Sequence, residues 1–299
     1  MQIEDMAGRG AVVTGSGGGM GRSIALALAD AGLNVVIADI DFDAATAVSE
    51  QVKALGVASI PFKVDVSKRD EVEALAEAAY EAFGDIAVLV NNAGVTWRPF
   101  RASWDATDAD FEWMMNVNFW GVYNGHRAFV PRMRATAGPK HIINTSSMAT
   151  LSPTAGHAAY TAAKSAVDGF SLATRAEYEA AAFGIGVSVL YPGSVKTGIG
   201  ATSERLRASA EQAGHRQIIP WESYVVKTEA VGAEEKETFE LGEVTHFQQA
   251  IAPEWVGPMV VQAIVENRPF IMTHPTPPAV DARATELNRS YAPSTAPTP

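Results

Sequence analysis

Short apolar runs and longer stretches of helical spacing alternate along most of this chain. Residues 11–13, 35–38, 86–90, 142–144, 187–190 and 270–272 are compact β-rich runs, and Ile60, Phe62, Val64 and Val66 alternate as a further strand. Between them the period changes. Ile24 and Leu28 stand four apart in residues 20–31, and Val72, Leu75, Ala76, Ala79 and Phe83 share one helical face. Residues 44–55, 108–133, 158–183 and 253–266 also read as helices. Apolar strands separated by helices belong to a parallel sheet covered on both faces. Right-handed crossovers then give an α/β fold, a doubly wound parallel sheet of the Rossmann type with seven strands. Pro61 lacks the N–H that a central strand donates. It places the third strand at a sheet edge, as the order 3-2-1-4-5-6 does.

Two regions break the rhythm. Residues 198–252 form a long insertion before the last helix, with helices expected over 203–214 and 234–250. Connections of this length are functional or disordered. Residues 1–274 are expected to form one domain with the insertion as a lid. Residues 275–299, rich in Pro, Ser and Thr, read as an extension with a flexible end.

Composition narrows the function. The 299 residues carry 34 acidic and 23 basic side chains, a net charge of −11, which argues against a nucleic-acid partner. Apolar residues make up 47%, enough for a sizeable core. There is no cysteine, which excludes disulfides, a thiolate nucleophile and Cys-ligated metal. The six histidines are scattered, with no metal-ligand spacing. No apolar run opens the chain and none reaches membrane-spanning length, so a cytoplasmic protein without a membrane span is expected.

Thr14-Gly15-Ser16-Gly17-Gly18-Gly19-Met20-Gly21 joins the first strand to the first helix. A backbone free of Cβ atoms lets a pyrophosphate approach closely, and the helix N-terminus supplies N–H donors and partial positive charge. Asp39 ends the second strand 18 residues beyond Gly21, where a carboxylate accepts both hydroxyls of an adenosine ribose. It would repel a 2′-phosphate, and no Arg or Lys stands at 38–42 to receive one. NAD is therefore expected over NADP.

Tyr160 and Lys164 lie four apart on a helix and share a face. A cation roughly 4 Å from a phenol lowers its pKa, by about 3 units at an effective dielectric near 20. The expectation is a tyrosine moved toward neutrality, serving as general base in alcohol oxidation and general acid in ketone reduction. Ser147, 13 residues earlier at the end of the fifth strand, sits at the ligand-binding rim.

The segments Thr14-Gly15-x-x-x-Gly19-x-Gly21, Asn91-Asn92-Ala93-Gly94, Ser147, Tyr160-x-x-x-Lys164 and Pro192-Gly193 stand in the order and spacing of the short-chain dehydrogenase/reductases. The chain resembles the ordinary single-domain branch of that family over residues 7–197 and the last helix and strand. The resemblance implies a catalytic set of Asn118, Ser147, Tyr160 and Lys164, with Asn118 holding a water that links Lys164 to solvent and Ser147 bonding the substrate oxygen. It also implies a cofactor site of Gly15, Ser16, Gly17, Gly19, Met20, Gly21, Asp39, Ile40, Asp65, Val66, Asn92, Ala93 and Gly94. Tyr160, Lys164, Pro192, Gly193, Val195 and Thr197 complete it at the nicotinamide end.

The substrate pocket falls to the loops. Trp97, Met148, His157, Trp221 and Tyr224 are its candidate residues, and an aromatic lid suits a bulky secondary alcohol or its ketone. The insertion resembles that of bacterial dehydrogenases acting on benzylic alcohols of lignin-derived aryl ethers. The alternatives are a broad-specificity carbonyl reductase and an inactive NAD-sensing protein, although both Tyr160 and Lys164 are present. A homodimer or homotetramer is expected from the family.

Overall fold

The computed structural model describes residues 3–96, 100–211 and 250–290. Their centre is a sheet of seven parallel strands: β1 (Gly10–Thr14), β2 (Asn34–Asp39), β3 (Ser59–Lys63), β4 (Ile86–Asn91), β5 (Lys140–Thr145), β6 (Ile185–Tyr191) and β7 (Phe270–Met272). The order is β3-β2-β1-β4-β5-β6-β7. The third strand is at the edge as Pro61 requires, with Pro61 in register with Ile37. It stops at Lys63, short of the alternation that runs on to Val66. Val64 and Val66 remain buried beyond the strand's end.

Residues alternate between the two faces, as strand geometry demands. Ala11, Val13, Val35, Ile37 and Ile143 enter one apolar cluster, while Val12, Val36, Ala38, Ile142 and Val187 enter the other. The first face is covered by α1 (Gly19–Asp30), α2 (Phe42–Lys53) and α8 (Val256–Glu266). The second is covered by α3 (Arg69–Phe83), α5 (Gly121–Arg134) and α6 (Ala158–Ala180). Helices α1 and α8 touch at Gly257, whose N–H donates to Ser23 Oγ at 3.1 Å.

The continuous helix expected over 108–133 is interrupted. Helix α4 (Asp108–Met115) gives way to a π-helical turn, Asn116–Trp120, before α5 begins. The Gly121 N–H reaches back to Asn116 O. Such turns insert one residue and re-aim a side chain, often at a functional site; here the turn carries Asn118. In the insertion, α7 (Ile199–Glu211) starts four residues ahead of the expected 203–214. The other helix expected there, over 234–250, falls almost wholly outside the described residues. The C-terminal extension contains a mostly exposed helix, α9 (Pro278–Ser290), which its Pro-rich start conceals. Among the described residues no helix is long and apolar enough to cross a membrane.

Candidate active site

A crevice of about 480 Å³ opens at the C-terminal ends of β1, β2 and β4. The glycine turn is its floor. Gly15 has φ +63°, and a Cβ there would fall 2.7 Å from Ala93 Cα. Gly21 is tighter still, its missing Cβ lying 2.1 Å from Gly15 O. Helix α1 opens at Gly18 without a side-chain cap and without an acidic residue in its first turn. Its first N–H groups are thus left for an anion.

Of the expected cofactor residues, Gly15, Gly17, Gly19, Met20, Gly21, Asp39, Ile40, Asp65, Val66, Asn92, Ala93, Gly94 and Thr197 all line this crevice. Ser16 does not. It is fully buried, its hydroxyl donates to Val13 O at 2.7 Å, and the Ala38 N–H donates back to it at 3.1 Å. Ser16 braces β1 against β2, its N–H also donating to Ala38 O at 3.3 Å. Asp39 is held in place by the N–H groups of Gly17 (2.8 Å) and Asp41 (3.0 Å). Asn92 donates to Thr14 O at 2.9 Å and Gly15 O at 3.1 Å, leaving its buried Oδ1 without a partner. The Gly-turn backbone is thereby tied to the loop after β4. Val195 sits in a parallel bridge with Ile251, and Thr197 packs its methyl carbon 3.2 Å from where a Cβ on Gly19 would stand.

The expected catalytic side chains are not among the residues that line the crevice; they meet it behind Gly94. Tyr160 and Lys164, one turn apart on α6, are both buried. The Ser147 side chain lies near the Tyr160 hydroxyl and acts to lower its pKa. Ser146 faces elsewhere, donating to Lys164 O at 3.2 Å. Asn118 is wholly buried; its Nδ2 donates to Val95 O and its Oδ1 accepts the Val95 N–H, each at 3.1 Å. A Cβ on Gly94 would lie 2.8 Å from Asn118 Oδ1 and 3.3 Å from Lys164 Nζ. The bare backbone of Gly94 is where the two side chains converge.

One electrostatic expectation is overturned. Tyr160 is not moved toward neutrality: burial pushes its pKa above the usual phenol value, and only the nearby Ser147 side chain opposes this. Lys164 is spent differently. Its Nζ donates to Thr145 O at 2.8 Å and lies 5.9 Å from the Tyr160 ring centroid. Its own pKa falls to about 8 through burial, with Asp168 alone acting to raise it. Desolvation outweighs the attraction that the spacing alone suggested.

Of the expected substrate residues, Trp97, Trp221 and Tyr224 lie outside the described residues. His157 is stacked flat on Tyr160, centroids 4.4 Å apart, with Nε2 3.3 Å from Thr96 Oγ1. Met148 begins a 3-10 turn, and its N–H donates to Pro192 O at 3.0 Å. Its Sδ lies 2.9 Å from the position of a Cβ on Gly193. The sequence reading missed Asp168, a partly buried carboxyl one turn beyond Lys164, and Arg205, which reaches the crevice from α7. An i, i+4 count from Lys164 finds the first; nothing local signals the second.

Comparison with known proteins agrees with this geometry. The family model described as short chain dehydrogenase matches residues 9–207. A 3beta-hydroxysteroid dehydrogenase 2 from Eggerthella lenta is 34% identical over 209 residues, covering 69% of this chain and 79% of the relative. A 1-deoxy-11-beta-hydroxypentalenate dehydrogenase from Streptomyces exfoliatus is 37% identical over 189 residues, 63% of this chain and 68% of the relative. A crystal structure of a short chain dehydrogenase/reductase from Burkholderia phymatum in complex with NAD superposes with a TM-score of 0.81 at 31% identity. That match covers 97% of this chain and 98% of the other.

Proposed function

Given that this chain belongs to the short-chain dehydrogenase family, we propose that it is an NAD-dependent oxidoreductase interconverting a bulky secondary alcohol and its ketone, with Tyr160 as the acid–base. The observation that carries the reading is buried Tyr160 with Lys164 one turn on, Lys164 Nζ standing against Gly94, which lines the crevice of the glycine turn. The crevice fits the cofactor on its own terms. Gly15 and Gly21 leave no room for a side chain where the turn meets β4, and the uncapped start of α1 faces the opening. Asp39 supports NAD, because a fixed carboxylate repels a 2′-phosphate.

A nicotinamide bound there would supply the hydride acceptor for alcohol oxidation and the hydride donor for ketone reduction. The residues of the chain handle the proton. In oxidation Tyr160 Oη takes the carbinol proton while Ser147 holds the same oxygen by a hydrogen bond. Burial raises the phenol, so its ionisation needs positive charge nearby. Lys164 supplies one, being largely protonated at neutral pH with its pKa at about 8. Asn118 locks Val95 and keeps the Gly94 backbone beside Lys164; its proposed further part is to hold the water linking that lysine to solvent. Relatives named for a 3β-hydroxysteroid and a hydroxypentalenate support a polycyclic or similarly bulky alcohol. His157, stacked on the Tyr160 ring, and Met148, against Gly193, are the described side chains proposed to border it.

The test is absorbance at 340 nm with NAD, mildly alkaline buffer and a panel of alicyclic, aryl and aliphatic secondary alcohols. NADH formation with one class is expected. Tyr160→Phe should lose at least about 100-fold in turnover while binding NAD as wild type does. Turnover retained by Tyr160→Phe removes it as the acid–base.

A further inference from the structure

Acidic side chains outnumber cationic ones along the crevice. Asp39, Asp41 and Asp65 line it, and Arg205 is the one cation among the described residues that do. Arg205 does not come from the sheet or the glycine turn. It stands on α7, in the insertion, with Thr202 and Leu206 on the same wall. Its Nη2 lies 3.7 Å from Asp41 Oδ2, and the two side chains are 65% and 38% exposed. Thr197, just ahead of α7, rests against Gly19. The segment from Thr197 to Arg205 therefore spans the glycine turn, from Gly19 at one end to the N-cap of α2 at the other.

A pyrophosphate brings two negative charges onto this turn. The turn offers backbone N–H groups and the end of α1, but residues 14–21 contain no cationic side chain. The planar fork of a guanidinium matches phosphate oxygens. The Arg205–Asp41 pair is long and exposed, the kind of surface pair that holds its partners weakly. We propose that Arg205 is a cofactor-binding residue that leaves Asp41 for the pyrophosphate of the bound dinucleotide, so that cofactor binding draws α7 over the crevice. The assignment rests on the dinucleotide reading above. It concerns the phosphate shared by NAD and NADP; the 2′-phosphate of NADP is the other phosphate within the same chemistry, and the experiment separates them.

The full-length chain is titrated with NAD and with NADP by calorimetry, so that no substrate is needed. Arg205→Gln is expected to weaken both dinucleotides alike, by about tenfold, with the effect shrinking as salt rises. Asp41→Asn keeps the cap on Ala44 N–H, since asparagine caps as well as aspartate. It is expected to tighten both dinucleotides, and only while Arg205 is present. Binding of both by Arg205→Gln at wild-type affinity overturns the proposal. A loss confined to NADP overturns the pyrophosphate assignment in favour of the 2′-phosphate. A folded wild type that takes up neither dinucleotide overturns the cofactor reading itself, and this assignment with it.

Discussion

Replacing Lys164 by methionine should make the protein more stable at neutral pH while destroying its activity. In the folded chain the Lys164 ammonium is buried and its pKa falls from the usual 10.5 to about 8. At about 1.4 kcal/mol per pH unit, holding the charge in place costs roughly 3 kcal/mol at pH 7. Methionine fills a similar volume without a charge. It gives up the bond to Thr145 O, worth about 1 kcal/mol, and removes the Lys164 charge, one of the smaller influences opposing the rise that burial imposes on the Asp168 carboxyl. The net gain is then on the order of 1–2 kcal/mol at pH 7. The sign with pH follows from proton counting. Between pH 8 and 10.5 the unfolded chain keeps a proton on this lysine that the folded chain has lost, so wild-type stability rises across that window relative to the variant. Above it the wild-type lysine is neutral and still donates to Thr145, so the order reverses. Urea unfolding of both proteins at pH 7, 8.5 and 10 reads the difference directly, and groups common to both cancel. A variant that is less stable at pH 7, or a difference that stays constant with pH, refutes the argument that a buried charge is held here against its own solvation.

Two further changes probe the cofactor end. Gly21→Ala sets a Cβ 2.1 Å from Gly15 O and 2.7 Å from Asn92 Nδ2, so α1 must shift and the Asn92 bonds loosen. A cost of about 2–4 kcal/mol is expected, seen as a fall of roughly 3–6 °C in the thermal midpoint together with weaker NAD binding; an unchanged midpoint contradicts the close approach. Asp39→Ala should shift the NAD/NADP ratio of kcat/KM toward NADP by about tenfold or more. Because it also frees the Gly17 N–H, the ratio and not the absolute affinity is the measure, and an unmoved ratio removes the ribose assignment.

The sheet was legible because its cause is local. Continuous apolar strands require two covered faces, and one proline at position 61 orders the edge. The glycine turn, Asp39, and the Tyr160–Lys164 spacing were legible for a related reason: each places residue types a fixed number of positions apart on an element whose period is known. What stayed hidden depends on quantities that spacing does not carry. The π-turn at Asn118 inserts one residue between two helices of ordinary pattern, so the apolar period over 108–133 reads as unbroken. Ser16 belongs to the motif, yet its hydroxyl is taken by β1 and β2, a contact that appears only when the strands are side by side. Arg205 is 164 positions from Asp41 along the chain and meets it through the path of α7 alone.

The electrostatics of Tyr160 make the same point in energy. Spacing gives the distance between a phenol and a cation, and from it an attraction; it does not give the solvent that both must lose to be there. Burial raises Tyr160 and lowers Lys164, so each group in the cofactor-free chain is pushed toward its neutral form. Both directions oppose a phenolate beside an ammonium, the state that alcohol oxidation requires in the proposed mechanism. The site as it stands therefore favours the protonated tyrosine, and the positive charge of an oxidised nicotinamide, if bound, would add to that of Lys164 in offsetting this.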